Sequence, residues 1–308
     1  IALMALFKTY LGSIIDDKVW KGLAEGLNYG FGFMVIFMLH FTVATKQPAM
    51  TAARFAEAVE KNPQGKTLNM KLAQLLVDVF RSQSVAVLGN VVVAMGLAAL
   101  IAFVYQHQTG EPLMNSENIA YQLHRIDPLD GSLWFAAIAG VWLFCSGIIS
   151  GYFDNRSNYL NMRMRLAQHP LLKKLMSEKS RVKFANYMHE NYGSLIGNFC
   201  FGMLLGLTGL VGYLTHLPLD IRHVAFSSAN LGYSAVSGQF AYPFFLQCIA
   251  FVLLIGLVNL MVSFSLTLWV ALRSLNTEID SWWAIWHEVC QIVRKRPLSL
   301  FFPVQLDK

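Results

Sequence analysis

Four uninterrupted apolar runs constrain this chain more than anything else in it: 84–105, 132–153, 193–215 and 243–272. A hydrocarbon layer of about 30 Å is crossed by about 20 helical residues, so each run is long enough to span a membrane. No Asp, Glu, Lys or Arg interrupts any of them. None shows the strict alternation of a barrel strand. A fifth run, 27–45, is slightly shorter and carries no full charge, and residues 1–15 read as an incomplete sixth span. Only 14% of the residues are charged, against about 25% in an average soluble domain. Too few charges remain to coat a water-facing globule. The expected fold is therefore an all-α integral membrane protein. It has five full transmembrane helices, an incomplete sixth at the N-terminus, cytoplasmic helical hairpins and a weak two-helix repeat, in one polytopic domain over 1–308.

Orientation follows from the cations in the connections, because Lys and Arg collect on the cytoplasmic side. Segment 46–83 holds six, segment 154–192 holds eight and the tail 273–308 holds five. Segment 106–131 has only Arg125, and 216–242 has only Arg222. The alternation places the hairpins 46–83 and 154–192 and the tail in the cytoplasm, with the loops 106–131 and 216–242 outside. Within 66–81, Leu68, Leu72, Leu75, Leu76, Val79 and Phe80 form an amphipathic stripe. Pro170 interrupts the second hairpin and "NPQG" at 62–65 the first. Trp282, Trp283 and Trp286 suit an aromatic belt or a helix on the headgroups.

Gly89–Asn90 recurs as Gly197–Asn198 at an offset of 108, each pair near the inner end of an outward span. Fixed-offset similarity is the mark of a repeated unit. The polar residues left inside the apolar runs are candidate intramembrane contacts: His40, Asn90, Asn198 and Asn259, with Gln247 beside them. Hydrogen bonds between membrane helices contribute about 1 kcal/mol or less each, so packing is the expected role. Gly26–Gly30, Gly147–Gly151 and Gly202–Gly206 have the GxxxG spacing of close helix contacts and are expected to act within the chain.

The outer stretch "PLDIRHVAFSSANLG", 218–232, gathers Asp220, Arg222 and His223 and is the candidate polar cluster. It is expected to form a short helix starting at Pro218–Asp220 and buried against protein. Arg222, the one cation of its loop, is expected to act as a clamp, with Asp127 or Asp130 of the other outer loop as counter-charge. No catalytic residue, cofactor or metal site is expected. The chain carries no P-loop, GxSxG or HExxH motif, and its four cysteines have no CxxC spacing.

"ATKQPAMTAARFA" (44–56), "LGN" (88–90), "IGN" (196–198), "LPLDIRHVAFSSANL" (217–231) and "GLVNLMVSFSLTLWVALRS" (256–274) resemble one bacterial family. These residues are similar to the C-terminal membrane half of the family catalogued as site-specific recombinases of the gonococcal-recombinase type. The resemblance implies a bacterial inner-membrane location and a preceding cytoplasmic helical region, which fits a start at Ile1 within an apolar helix. The family's name implies DNA strand exchange. A tyrosine recombinase would need an HxxR element, and none of the eight histidines has Arg three positions on. The favoured reading is a non-enzymatic membrane scaffold or complex subunit with its C-terminus in the cytoplasm. Membrane lipids, and a protein partner or a second copy, are its expected company. Nucleic acid is not expected, since anionic headgroups already account for the basic segments. The alternatives are a transporter or channel built on the repeated helix pair and the recombinase activity itself.

Overall fold

In a computed structural model the described residues are 1–41, 52, 54–59, 66–276, 279 and 281–300. Among them every regular element is helical. The helices are α1 (Ala2–Ile14), α2 (Lys18–Met38), α3 (Lys66–Thr109), α4 (Ser116–Ile126), α5 (Ser132–Tyr159) and α6 (Met162–Gln168). They continue with α7 (Pro170–Leu175), α8 (Glu178–Thr215), α9 (Val224–Ser237), α10 (Tyr242–Ser274) and α11 (Trp282–Lys295). Four of them, α3, α5, α8 and α10, are long and apolar enough to cross a membrane.

Local chemistry explains where the helices begin and end. Asp17 caps α2 by accepting from the amides of Val19 and Trp20, and Asn115 caps α4 through Asn118. These side chains satisfy amides that a helix start leaves open. Pro170 sits in the first turn of α7, where a missing N–H costs nothing. At the other ends, Gly110 stops α3 with φ of 77° and His216 stops α8 with φ of 55°.

The chain divides into two compact units: Ile1–Ala5, Gln47–Val141 and Arg222–Lys308 form one, and Leu6–Lys46 and Trp142–Ile221 the other. In the first, α9 is buried along nearly its whole length and lies against α3. A Cβ at Gly232 would overlap the Met95 carbonyl, so glycine is what lets the two backbones meet. Val224 and Leu231 of α9 join Val91, Cys248, Val252 and Ile255 in one core cluster. A second cluster at the far end of α3 joins Leu68, Leu72, Phe55, Leu268 and Ile285.

In the second unit α2 and α8 pack along a seam of glycines. A Cβ at Gly202 would overlap the Tyr29 backbone, and one at Gly206 would overlap Gly26. The two GxxxG pairs 26–30 and 202–206 thus face each other, as the spacing predicts. The pair 147–151 does not behave this way, because Gly151 faces open space. Lys8 of α1 pairs with Glu25 of α2 at 3.0 Å and lies 5.6 Å from the Tyr29 ring centre.

Several boundaries differ from the sequence reading. The amphipathic stretch 66–81 and the apolar run 84–105 are one continuous helix of 44 residues, not a hairpin arm followed by a separate span. No helix breaker stands between them, so helix formation simply propagates. The rest of hairpin 46–83, including "NPQG", lies largely outside the described residues. The run expected at 27–45 is a helix from Lys18 to Met38; 42–45 also lie outside the described residues. The helix of the outer stretch starts at Val224 rather than at Pro218–Asp220.

Candidate functional site

Three backbone groups of the first unit meet at Asn259, which is 3% exposed on α10. Its Nδ2 donates to the carbonyl of Ala136 on α5 at 2.7 Å and to that of Arg222 at 2.9 Å. Its Oδ1 accepts from the amide of Val224, the first residue of α9, at 3.0 Å. One buried amide therefore satisfies three backbone groups from two other segments, α5 and the stretch 222–224 that opens α9. The approach depends on a small neighbour. A Cβ at Gly140 would come 2.8 Å from Val262 Cβ and 2.9 Å from the Asn259 carbonyl.

Arg222 is 7% exposed. Its backbone amide donates to the Phe135 carbonyl at 3.1 Å, and its Nε donates to the Arg125 carbonyl at 2.7 Å. Its guanidinium carbon lies 4.8 Å from the Phe135 ring centre. Arg125 stands in the last turn of α4, where carbonyls lack helical partners and the helix dipole is negative. A cation there is favoured, and it ties the stretch before α9 to the end of α4. The two carboxylates named from sequence make contacts close in the chain. Asp127 accepts from the Leu129 amide at 2.9 Å, and Asp130 lies 3.4 Å from His124 Nδ1.

His223 caps the start of α9 by position and meets Phe226 edge-on, ring centres 6.1 Å apart. It stands in the connection rather than in a span. Burial pushes its pKa down to about 4 from an ordinary 6.5. The folded protein keeps the ring neutral down to about 4, whereas the unfolded chain takes up the proton near 6.5. The stability this group contributes is complete above pH 6.5 and is lost as pH falls from 6.5 towards 4. Thermal melts at pH 7 and pH 5 should show a loss on acidification that His223→Gln reduces by about 2 kcal/mol. An identical loss in the variant would remove His223 as its cause.

Asp220, two residues before Arg222, accepts from the Ile221 amide at 2.7 Å. His40 is exposed just past the end of α2, with φ of 61° and its amide on the Phe37 carbonyl. Asn198 is buried and turns its amide to the Ser194 carbonyl on its own helix at 2.8 Å. Asn90 is half-buried on α3, in the first unit. A Cβ at Gly89 meets open space, whereas one at Gly197 comes 2.8 Å from Ser150 Cβ. The repeated Gly–Asn pairs thus occupy different surroundings.

One seam escaped the sequence reading. Ser146 and Ser150 on α5 meet Gly193 and Gly197 on α8, where a Cβ at Gly193 would overlap the Ser150 carbonyl. Its signal was present as SxxxS and GxxxG spacings at matching intervals. Just beyond it, Asp154 accepts from the Gly193 amide at 3.0 Å, and Ser157 Oγ lies 3.1 Å from His189 Nδ1 and donates to the His189 carbonyl. A hydroxyl beside an imidazole is the start of a nucleophile, but Ser157 is wholly enclosed. The contact fastens α5 to α8. Among the described residues no group of acidic, His and Cys side chains could hold a metal ion.

A helical chain with four membrane-length apolar helices has the makeup of an integral membrane protein. A family model described as site-specific recombinase matches residues 1–303, and the chain belongs to that family. Comparison with curated proteins gives no match, nor does comparison with solved structures.

Proposed function

We propose that this chain is a membrane scaffold of the bacterial inner membrane, holding cytoplasmic surfaces in place rather than carrying out a reaction. In this reading the run within α2 and the helices α3, α5, α8 and α10 cross the bilayer, and the segments rich in Lys and Arg face the cytoplasm. The 14-residue α9 is about 21 Å long, too short to cross. It enters part-way from the outside, sheltered by protein. The observation that carries the reading is the Asn259–Arg222 network. Its hydrogen bonds include those to the carbonyls of Ala136, Arg222, Arg125 and Phe135 and to the Val224 amide. Such groups serve as fasteners, not as an ion path or a reacting centre. The family's name would bring DNA strand exchange, and the enclosed Ser157 offers that chemistry no accessible nucleophile.

Cys290, exposed on α11, tests the orientation. A membrane-impermeant maleimide should label it in inverted vesicles and leave it unlabelled in intact spheroplasts; labelling in spheroplasts would reverse the assignment. The scaffold role predicts that the protein leaves the membrane in mild detergent as an assembly. A lone monomer by sedimentation, together with no cross-linked companion in intact cells, would overturn it.

A further inference from the structure

The tip of the hairpin between α5 and α8 combines exposed cations with exposed aliphatic side chains. Residues 156–183 contain eight Lys and Arg and a single acid, Glu178. Arg163, Arg165, Lys173, Lys174, Lys179 and Lys183 are all exposed. Among them Met164 is 63% exposed, Leu171 61% and Leu175 79%. Anionic headgroups would account for such a segment if it lay on the bilayer. Its height argues otherwise. The apolar part of α8 begins at Gly193, and Arg181 Nε donates to the Ala167 carbonyl at 2.6 Å, which sets the end of α6 level with Arg181. The stretch 181–193 rises roughly 18 Å at 1.5 Å per residue. The headgroup layer adds only about 5–8 Å on each side of the hydrocarbon, and surface charge is screened over about 8 Å. With the bilayer edge at Gly193, as in the placement proposed above, residues 169–181 stand clear of both. Arg163 and Arg165 follow Met162, which meets Ser157 beside His189, and lie nearer the headgroups.

We propose that this tip docks an amphipathic helix with acidic flanks, supplied by a partner protein. Phosphates of a nucleic acid would satisfy the cations and leave Leu171 and Leu175 in water. An amphipathic helix covers both, its leucines on the aliphatic side chains and its carboxylates on the ring of lysines and arginines. A second copy of the tip is excluded as occupant by like charge. The inference rests on the cytoplasmic placement proposed above and names the kind of partner that such a scaffold would hold.

The full chain, purified in nanodiscs, is titrated with a fluorescent helical peptide of about 18 residues bearing leucines at i, i+3, i+4 and i+7 and flanking glutamates. A scrambled peptide of the same composition and a DNA duplex of about 20 base pairs serve as competitors. The amphipathic peptide should bind at least about tenfold more tightly than its scramble, and Leu171→Ser with Leu175→Ser should weaken it by about tenfold. Lys173→Glu with Lys174→Glu should weaken it comparably. Both pairs are exposed, so the substitutions remove no buried contact. The proposal fails if peptide and scramble bind alike or not at all. It also fails if the serine variant binds as wild type does, or if duplex DNA binds more tightly than the peptide. Because binding in nanodiscs does not depend on orientation, it can fail while the Cys290 labelling stands, and the reverse.

Discussion

Asn259→Leu is expected to lower the unfolding free energy by about 3 kcal/mol in detergent, since buried groups left unsatisfied cost about 1–3 kcal/mol each. The variant keeps the volume of the side chain and removes two donors and one acceptor. The Val224 amide and the Ala136 and Arg222 carbonyls are then left in surroundings where water cannot replace the lost partner. Asn259→Asp is the sharper comparison. It keeps an acceptor for Val224 but offers nothing to the two carbonyls, so it should destabilise at neutral pH as well. Thr267→Val sets the baseline: that hydroxyl returns to its own helix at the Ser263 carbonyl, and its loss should cost under about 1 kcal/mol. Thermal melting of the three variants, with hydrogen exchange at the start of α9, measures the order. Equal losses at 267 and 259 would show that Asn259 is not the fastener described.

Gly202→Leu should be at least as damaging, about 3 kcal/mol or failure to fold, because overpacking a tight contact has no cheap relief. The side chain would enter the backbone of Tyr29 and Gly30 rather than a neighbouring side chain, and α2 would have to move away from α8. Gly209→Leu and Gly89→Leu are the controls. A Cβ at either position meets nothing within 4 Å, so both should fall within about 0.5 kcal/mol of wild type, or gain slightly from better helix propensity. If Gly202→Leu melts with Gly209→Leu, the seam is not what holds these helices.

The four long spans were legible because a charge-free run of more than 20 apolar residues has few alternatives. The glycine seam was legible in the same way at 26–30 and 202–206, since small residues one turn apart leave a groove. The same spacing misled at 147–151. Periodicity states that a groove exists without saying which helix fills it, and the groove used on α5 is lined by Ser146 and Ser150. The repeated Gly–Asn pairs show the same limit, with Gly197 pressed against Ser150 and Gly89 facing open space.

By itself the sequence determined that the chain is helical, where the apolar runs lie, and how the cations alternate between connections, since composition and period act locally along the chain. It also named Asn259 and Arg222 as polar residues needing partners. Only the tertiary structure decided who those partners are. Residues 136, 222 and 259 are far apart in the chain, and their meeting depends on close approaches such as that at Gly140, which no local pattern encodes. It also decided how far the end of the basic hairpin, 169–181, stands from the apolar part of α8. Whether a cation meets a headgroup or a partner depends on that distance, and not on how many cations the segment carries.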